Sequence, residues 1–291
     1  PLYDPAWYNG VEILRYWSPF PAYVMAFCQY LAGGSQFGAY LFYIGGVCFL
    51  GACVWPFIGR GFNRPYLGAF IGLLWFFMPN NLCAIFIEGN LARSLSMIFL
   101  PVFIYSVYKY LYNHKLRYIP LMVFTFLLME LCHLGYAGMV AIAVIIYGIV
   151  YMIQKGRKKA VLDVVISMIF GFMLLGIWLV ASLRGGITSL DNSENMANFF
   201  QNLWITINPF ERLTRGFEYF YFGFATLIVI VFGILFGYKK SRTGFVTGFI
   251  ILLMTTKSAY AVLKHLPGSQ YLWMLRFISI ALCMILMSFL M

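Results

Sequence analysis

Few side chains in this sequence have the chemistry to act on a substrate, and they gather in four places. The first is the opening segment PLYDPAWYNGVEILRYWSP, where Asp4, Glu12 and Arg15 stand among Trp7, Tyr8, Tyr16 and Trp17. Aromatic rings beside a polar strip suit a membrane–water interface, and they also suit stacking on sugar rings. In the second reading Trp7, Tyr8, Glu12 and Arg15 line a substrate site. The second place is Glu88-Gly89-Asn90 followed by Arg93. Opposite charges five residues apart either pair with each other or face a charged substrate, and ionisable groups next to lipid are costly and often functional.

The third place is Glu130 with His133. Their i, i+3 spacing puts them on one helical face, so the carboxylate orients the imidazole, the two reach a neighbouring helix, or both bind a divalent metal. The sequence supplies no further ligand beside them and names no other cofactor. The fourth place surrounds Pro267-Gly268-Ser269-Gln270, with Lys257, Lys264, His265 and Arg276 nearby. Arg276 sits about a turn inside the last apolar run, where a guanidinium either snorkels to the surface, pairs with Glu130, or binds a phosphate through two parallel hydrogen bonds.

The elements that must position these groups are apolar helices. The chain is 63% apolar and 10% charged, whereas soluble domains carry about a quarter charged residues. A bilayer core of about 30 Å takes roughly 20 apolar helical residues, because no backbone polar group goes unpaired in lipid. Runs of that character recur at Phe37–Ile58, Tyr66–Pro79, Leu91–Leu111, Tyr118–Cys132, Ala137–Gln154, Ala160–Leu183, Phe217–Tyr238, Phe245–Leu263 and Leu272–Met291. They predict an all-α, polytopic bundle of about nine spans in one domain, residues 1–291.

Within it, residues 1–36 read as an outer loop and residues 37–291 as the bundle, with a second outer loop over 184–216. Phe20–Leu31 is too short to span and is expected to lie in the interface. Pro79-Asn80-Asn81 breaks the second run, and broken membrane helices are tolerated where they line a cavity or are buried in protein. In the 184–216 loop, Asp191 with Glu194 resembles a capping pair before an amphipathic helix carrying Met196, Phe199, Phe200, Leu203, Trp204 and Ile207. The chain starts without a methionine and stops inside an apolar run, so both ends are expected to be cut points of a longer polypeptide.

Basic residues favour the cytoplasmic side of short loops. Arg60 and Arg64, then Lys109, Lys115 and Arg117, then Lys155, Arg157, Lys158 and Lys159, then Lys239, Lys240 and Arg242 all fall in alternate loops, and nearly all the acids fall in the others. This predicts an inner-membrane protein whose functional surface faces outward. The same rule accounts for the larger share of the net charge of +11, so the implied partner is lipid and not nucleic acid. The sequence lacks phosphate-loop and dinucleotide fingerprints. Its six cysteines have neither zinc spacing nor a disulfide framework.

DPAWYNGVEILRYWSPFPAYVMAF, EGNLARSLSMIFLP, the helix of His133 and GSQYLWMLRFISIA resemble the bacterial integral membrane domain described as 6-pyruvoyl-tetrahydropterin synthase-related. That domain is similar in layout to the GT-C class of multispanning glycosyltransferases. The name carries no pterin chemistry here, since the soluble synthase is a zinc enzyme and this chain offers no three-histidine site. The GT-C likeness implies transfer of a sugar from a polyprenyl-phosphate donor to a glycan or protein acceptor at the outer face. An outer-loop carboxylate, Asp4 or Glu88, would take the acceptor proton while Arg93 or Arg276 holds the leaving phosphate. Two other functions stay open: a transporter or flippase of lipid-linked saccharides, and a noncatalytic subunit of envelope polysaccharide assembly.

Overall fold

The computed structural model describes residues 18–176, 178–180, 224–236, 242–265 and 276–291, and among them every regular element is an α-helix. Helix α1 (Phe20–Leu31) begins with Pro21 in its first turn, where a missing N–H costs nothing, and ends at Gly33-Gly34. Both of those glycines have positive φ, which only glycine adopts freely. Tyr23, Phe27 and Tyr30 of α1 are exposed and Cys28 faces the bundle. Helix α2 (Gln36–Gly61) is capped by Ser35, whose Oγ accepts the Gly38 N–H at 3.1 Å.

Helix α3 (Pro65–Phe76) folds back onto α2 at very short range. A Cβ on Gly59 would lie 2.8 Å from the Gly68 Cα, and one on Gly72 would lie 2.3 Å from the Trp55 Cβ. Such close backbone approach is how helices gain van der Waals contact where water gives no hydrophobic drive. Helix α4 (Pro79–Phe86) follows at a bend of 55°. The cause is Pro79, which has no N–H to give the Trp75 carbonyl four residues back. The Asn81 side-chain amide takes that carbonyl instead, at 2.7 Å.

Helix α5 (Leu91–Asn113) is the central element, with 72% of its apolar window buried inside the protein. Helix α6 (Tyr118–Cys132) returns alongside it, His133 turns the chain, and α7 (Leu134–Lys155) runs parallel to α5. Helix α8 (Lys158–Leu174) then presents Leu162, Ile166, Phe170 and Met173 outward, as a lipid-facing surface does. Helices α9 (Phe224–Phe236), α10 (Arg242–Met254) and α11 (Lys257–Leu263) precede α12 (Phe277–Ser288), which is buried along its whole length.

The expectation of nine spans is corrected. Among the described residues three helices, α2, α5 and α7, are long and apolar enough to cross a membrane, and the bent pair α3–α4 makes a fourth if it counts as one broken span. The sequence count includes apolar runs too short to span, and Tyr118–Cys132 forms a helix with the bounds of its run. Helix α6 has 15 residues, about 22 Å at 1.5 Å per residue, short of a core of about 30 Å. Helices α10 and α12 are shorter still. Phe20–Leu31 forms a helix with the expected bounds.

The helices share two chemically distinct ends. At one, Lys109 donates to the Gly61 carbonyl at 2.6 Å and lies over the Phe62 ring, Arg64 donates to the Phe289 carbonyl, and Thr243 donates to Gln154. The basic loop residues Arg60, Lys115, Arg117 and Arg157 lie at the ends of these same helices. The acids and guanidiniums of the candidate site occupy the opposite end, at the start of α5 and of α12.

The glycine contacts of α2 with α3 give a direct test. Gly59→Ala must push backbone aside and is expected to cost about 1–3 kcal/mol, read as a lower apparent melting temperature in detergent. Gly45→Ala, with open space around it, is expected to be neutral or slightly stabilising, since alanine is the better helix former.

Candidate functional site

The site is built on Arg93, which is wholly buried in the first turn of α5. Its guanidinium is held from two sides. Nη1 donates to the Glu88 carboxylate at 3.2 Å and Nη2 donates to Asn80 Oδ1 at 2.9 Å. Its Nε has no hydrogen-bond partner among the described residues. Asn80 reaches Arg93 because Pro79 restarts the broken helix at that depth. Glu88 reaches it because Gly89, at φ 59°, turns the chain into α5. Asn90 closes the turn, with its Oδ1 accepting the backbone N–H of Arg93 at 2.9 Å. A buried charge demands partners of this kind.

The second guanidinium comes from Arg276, at the start of α12. Its Nη1 lies 2.9 Å from His133 Nε2. The other ring nitrogen, Nδ1, faces the Tyr136 backbone N–H at 3.2 Å, so His133 also caps α7. Both ring nitrogens therefore meet donors. A neutral imidazole offers one acceptor, for which the two donors compete, and an imidazolium offers none. Burial, reinforced by the charges of Arg276 and Arg93, pushes His133 down to about 3. Burial and the Arg93 charge likewise lower Arg276 to about 10, which leaves it cationic at neutral pH.

Neutral polar groups fix the two guanidiniums relative to each other. The Tyr136 ring centroid is 6.0 Å from the Arg93 guanidinium, and its hydroxyl is 2.8 Å from Ser279 Oγ. Ser279 Oγ donates to the Arg276 carbonyl at 2.9 Å, and the Ser279 carbonyl accepts the Trp75 indole N–H at 2.8 Å. The broken helix, α5, α7 and α12 thus meet in one polar junction. Asn80, Tyr136, Trp75 and Ser279 were not singled out from sequence. An amide after a helix-breaking proline is placed to take up a freed backbone group, and that signal points to Asn81, not to the contact of Asn80 with Arg93.

The other sequence candidates divide into those placed elsewhere and those outside the described residues. Glu130 is buried in α6, and its Oε2 has no partner among the described residues. It meets neither the His133 ring nor Arg276, because α6 ends at Cys132 and His133 turns out of its helical register. Ser18 binds this corner, donating to the Glu130 carbonyl at 3.1 Å and accepting the Leu134 N–H at 3.3 Å. Lys264 and His265 are exposed just beyond α11. Asp4, Trp7, Tyr8, Glu12 and Arg15, the helix expected within 184–216, and the turn at 267–270 all lie outside the described residues. Among the described residues no group of three His, Cys, Asp or Glu side chains is placed to hold a metal ion.

The arrangement can bind an anion. Two guanidiniums held near one another repel, a bound anion relieves that repulsion, and the planar fork of arginine matches phosphate or carboxylate oxygens. The family model described as "6-pyruvoyl-tetrahydropterin synthase related domain; membrane protein" matches residues 14–291. No curated protein and no solved structure matches the chain.

Glu88→Gln leaves the buried Arg93 charge without its counter-ion and is expected to lower thermal stability, by less than the roughly 3–5 kcal/mol of a fully buried pair because Glu88 keeps 22% of its side chain exposed. Glu88→Gln combined with Arg93→Met is expected to recover part of that loss in a double-mutant cycle. His133 gives a pH signature. Its folded pKa of about 3 lies below the ordinary value of 6.5, so the unfolded chain binds the extra proton between those values. Its contribution is then complete above pH 6.5 and is lost progressively as the pH falls towards 3. Melting temperatures measured across this range are expected to fall less steeply for His133→Gln than for the natural protein.

Proposed function

The chain belongs to the 6-pyruvoyl-tetrahydropterin synthase-related family of membrane proteins, and from that premise we propose that it is a glycosyltransferase of GT-C type acting on a polyprenyl-phosphate sugar donor. The observation that carries this reading is the convergence of Arg93 and Arg276 on the buried junction around His133 and Tyr136. A phosphate group attached to a lipid is an anion that reaches such a site from within the bilayer. The sugar and acceptor then approach from the aqueous side. In this reading the site end of the bundle faces outward, the basic end faces the cytoplasm, and α1 lies in the outer interface with Tyr23, Phe27 and Tyr30 in the lipid headgroups.

The reaction assigns each group a step. The acceptor oxygen attacks the anomeric carbon of the donor sugar, and the bond from that carbon to the phosphate oxygen breaks. Its electron pair leaves with the polyprenyl phosphate. Arg276, with the free Nε of Arg93, stabilises the charge that grows on the leaving oxygen. The acceptor proton passes to a carboxylate, Asp4 or Glu88. The Glu88 oxygen that does not bind Arg93 is available for this role, since Arg93 occupies only Oε1. His133, held uncharged, positions Arg276.

One observation favours a second reading. The 55° break between α3 and α4 is the kind of discontinuity found at the midplane of transporters, and a flippase for lipid-linked saccharides would use the same phosphate site. Flux of a labelled lipid-linked sugar across proteoliposomes, without turnover, identifies that alternative. A noncatalytic assembly subunit would show neither.

The enzyme reading is tested with purified full-length protein and radiolabelled polyprenyl-phosphate sugars. Arg276→Ala is expected to lower turnover by about 10²–10³-fold, the range for loss of one preorganised donor to a developing oxyanion. Arg276→Lys is expected to recover only part of it, because an ammonium keeps the charge and loses the fork. Asp4→Asn or Glu88→Gln is expected to abolish turnover, the second also loosening the fold through loss of the Arg93 counter-charge. Full activity in all of these variants contradicts the reading.

A further inference from the structure

The basic end of the bundle holds a second place suited to an anion. Helices α5 and α7 both run away from Arg93 and His133. Counted along α5 from Arg93, Tyr110 and His114 lie about 26–32 Å from that site at 1.5 Å per residue. There Tyr110 and His114 from the end of α5, and Arg157, Lys158, Lys159 and Asp163 from the start of α8, border an open cleft of about 520 Å³. The two connecting turns that form it leave their helices through left-handed residues, His114 at φ 54° and Gly156 at φ 68°. This brings the ends of α5 and α7 side by side.

Three cations and one carboxylate border this cleft, which leaves it net positive. Asp163 accepts the Tyr110 hydroxyl proton at 2.6 Å. Arg157 donates to His114 Nε2. Arg157, Lys158 and Lys159 are exposed, and among the described residues none of the three forms an ion pair. Asp163 offsets one of the three cations, the remaining positive charges repel one another, and a phosphate, with several acceptor oxygens on one centre, satisfies them together. Exposed apolar side chains flank the cleft in sequence: Leu116 before α6, Ile153 in the last turn of α7 and Leu162 in α8. Basic pockets between membrane helices, bordered by apolar surface, suit the headgroups of anionic lipids.

We propose that this cleft binds a phosphate group, carried either by the headgroup of an anionic lipid or by a free phosphate compound. The apolar flank favours the lipid. The site is separate from the Arg93 junction and does not depend on the function proposed for it.

The test uses the full chain in nanodiscs of phosphatidylcholine doped with phosphatidylglycerol, with retained lipids identified by native mass spectrometry. A parallel arm in neutral detergent titrates inorganic phosphate and follows its phosphorus NMR line width. The natural protein is expected to retain phosphatidylglycerol in preference to phosphatidylcholine. Arg157→Gln/Lys158→Gln/Lys159→Gln is expected to lose that preference by about fivefold for each cation removed.

Arg60→Gln/Arg242→Gln removes charge from the same end outside the cleft and is expected to keep the preference. Asp163→Asn keeps an acceptor for Tyr110, removes the negative charge and is expected to tighten binding, which tests the cleft even if the triple variant does not fold. Retention of the lipid assigns the headgroup, and line broadening by phosphate without lipid retention assigns a free phosphate compound. Equal loss in the cleft and off-cleft variants, or no binding in either arm, overturns the proposal, as does Asp163→Asn binding no tighter than the natural protein.

Discussion

Burial of the Arg93 guanidinium is the constraint on which the rest of this structure turns. A cation enclosed in an apolar bundle is strongly unfavourable unless charge and hydrogen bonds meet it on every side. Glu88 and Asn80 meet it here, and each needs a specific backbone event to do so. Asn80 is available because Pro79 stops α3 and restarts the chain as α4 at a 55° bend. Glu88 is available because Gly89 turns the chain with positive φ. The Trp75 carbonyl released by Pro79 is then taken by Asn81. One charge thus accounts for the broken helix, its side-chain repair and the capped start of α5.

Neutral hydrogen bonds place the start of α12 beside this charge. Arg276 is the second cation at the junction, and it is anchored on a histidine that burial and the two guanidiniums hold uncharged. Ser279 and Trp75 lock the first turn of α12 onto the broken helix, and Tyr136 joins both to α7. Two like charges fixed close together by neutral groups lower each other's stability in the empty site. A bound anion would relieve that repulsion, and on this the proposed phosphate site rests.

Much of this was legible in the sequence, and the failures have physical causes. The all-α class followed from apolar runs too long for any soluble core, and α1 was legible from its prolines and its glycine pair. Glu88, Arg93 and Arg276 stood out because charge is rare in such a chain. The span count failed because runs shorter than the roughly 20 residues of a span, Tyr66–Pro79 and Tyr118–Cys132 among them, were counted as spans. Composition also does not register where a helix stops, as where Phe245–Leu263 divides between α10 and α11. The pairing of Glu130 with His133 failed for this last reason: i, i+3 spacing brings residues together only while the helix continues, and it ends between them. Asn80, Tyr136 and Ser279 were not legible as site residues because neutral polar side chains are common in membrane helices and acquire meaning only from what they touch.

The central claim is that Arg93 and Arg276 form a site for a lipid-borne phosphate. It is tested most directly by comparing the affinity of the purified protein for polyprenyl phosphate with its affinity for the matching polyprenol, which lacks the anion. The account predicts that the phosphate ester binds at least about tenfold more tightly, a difference of about 1.4 kcal/mol, and that Arg276→Ala abolishes the difference while leaving polyprenol binding unchanged. Equal affinity for the two lipids in the natural protein would contradict it.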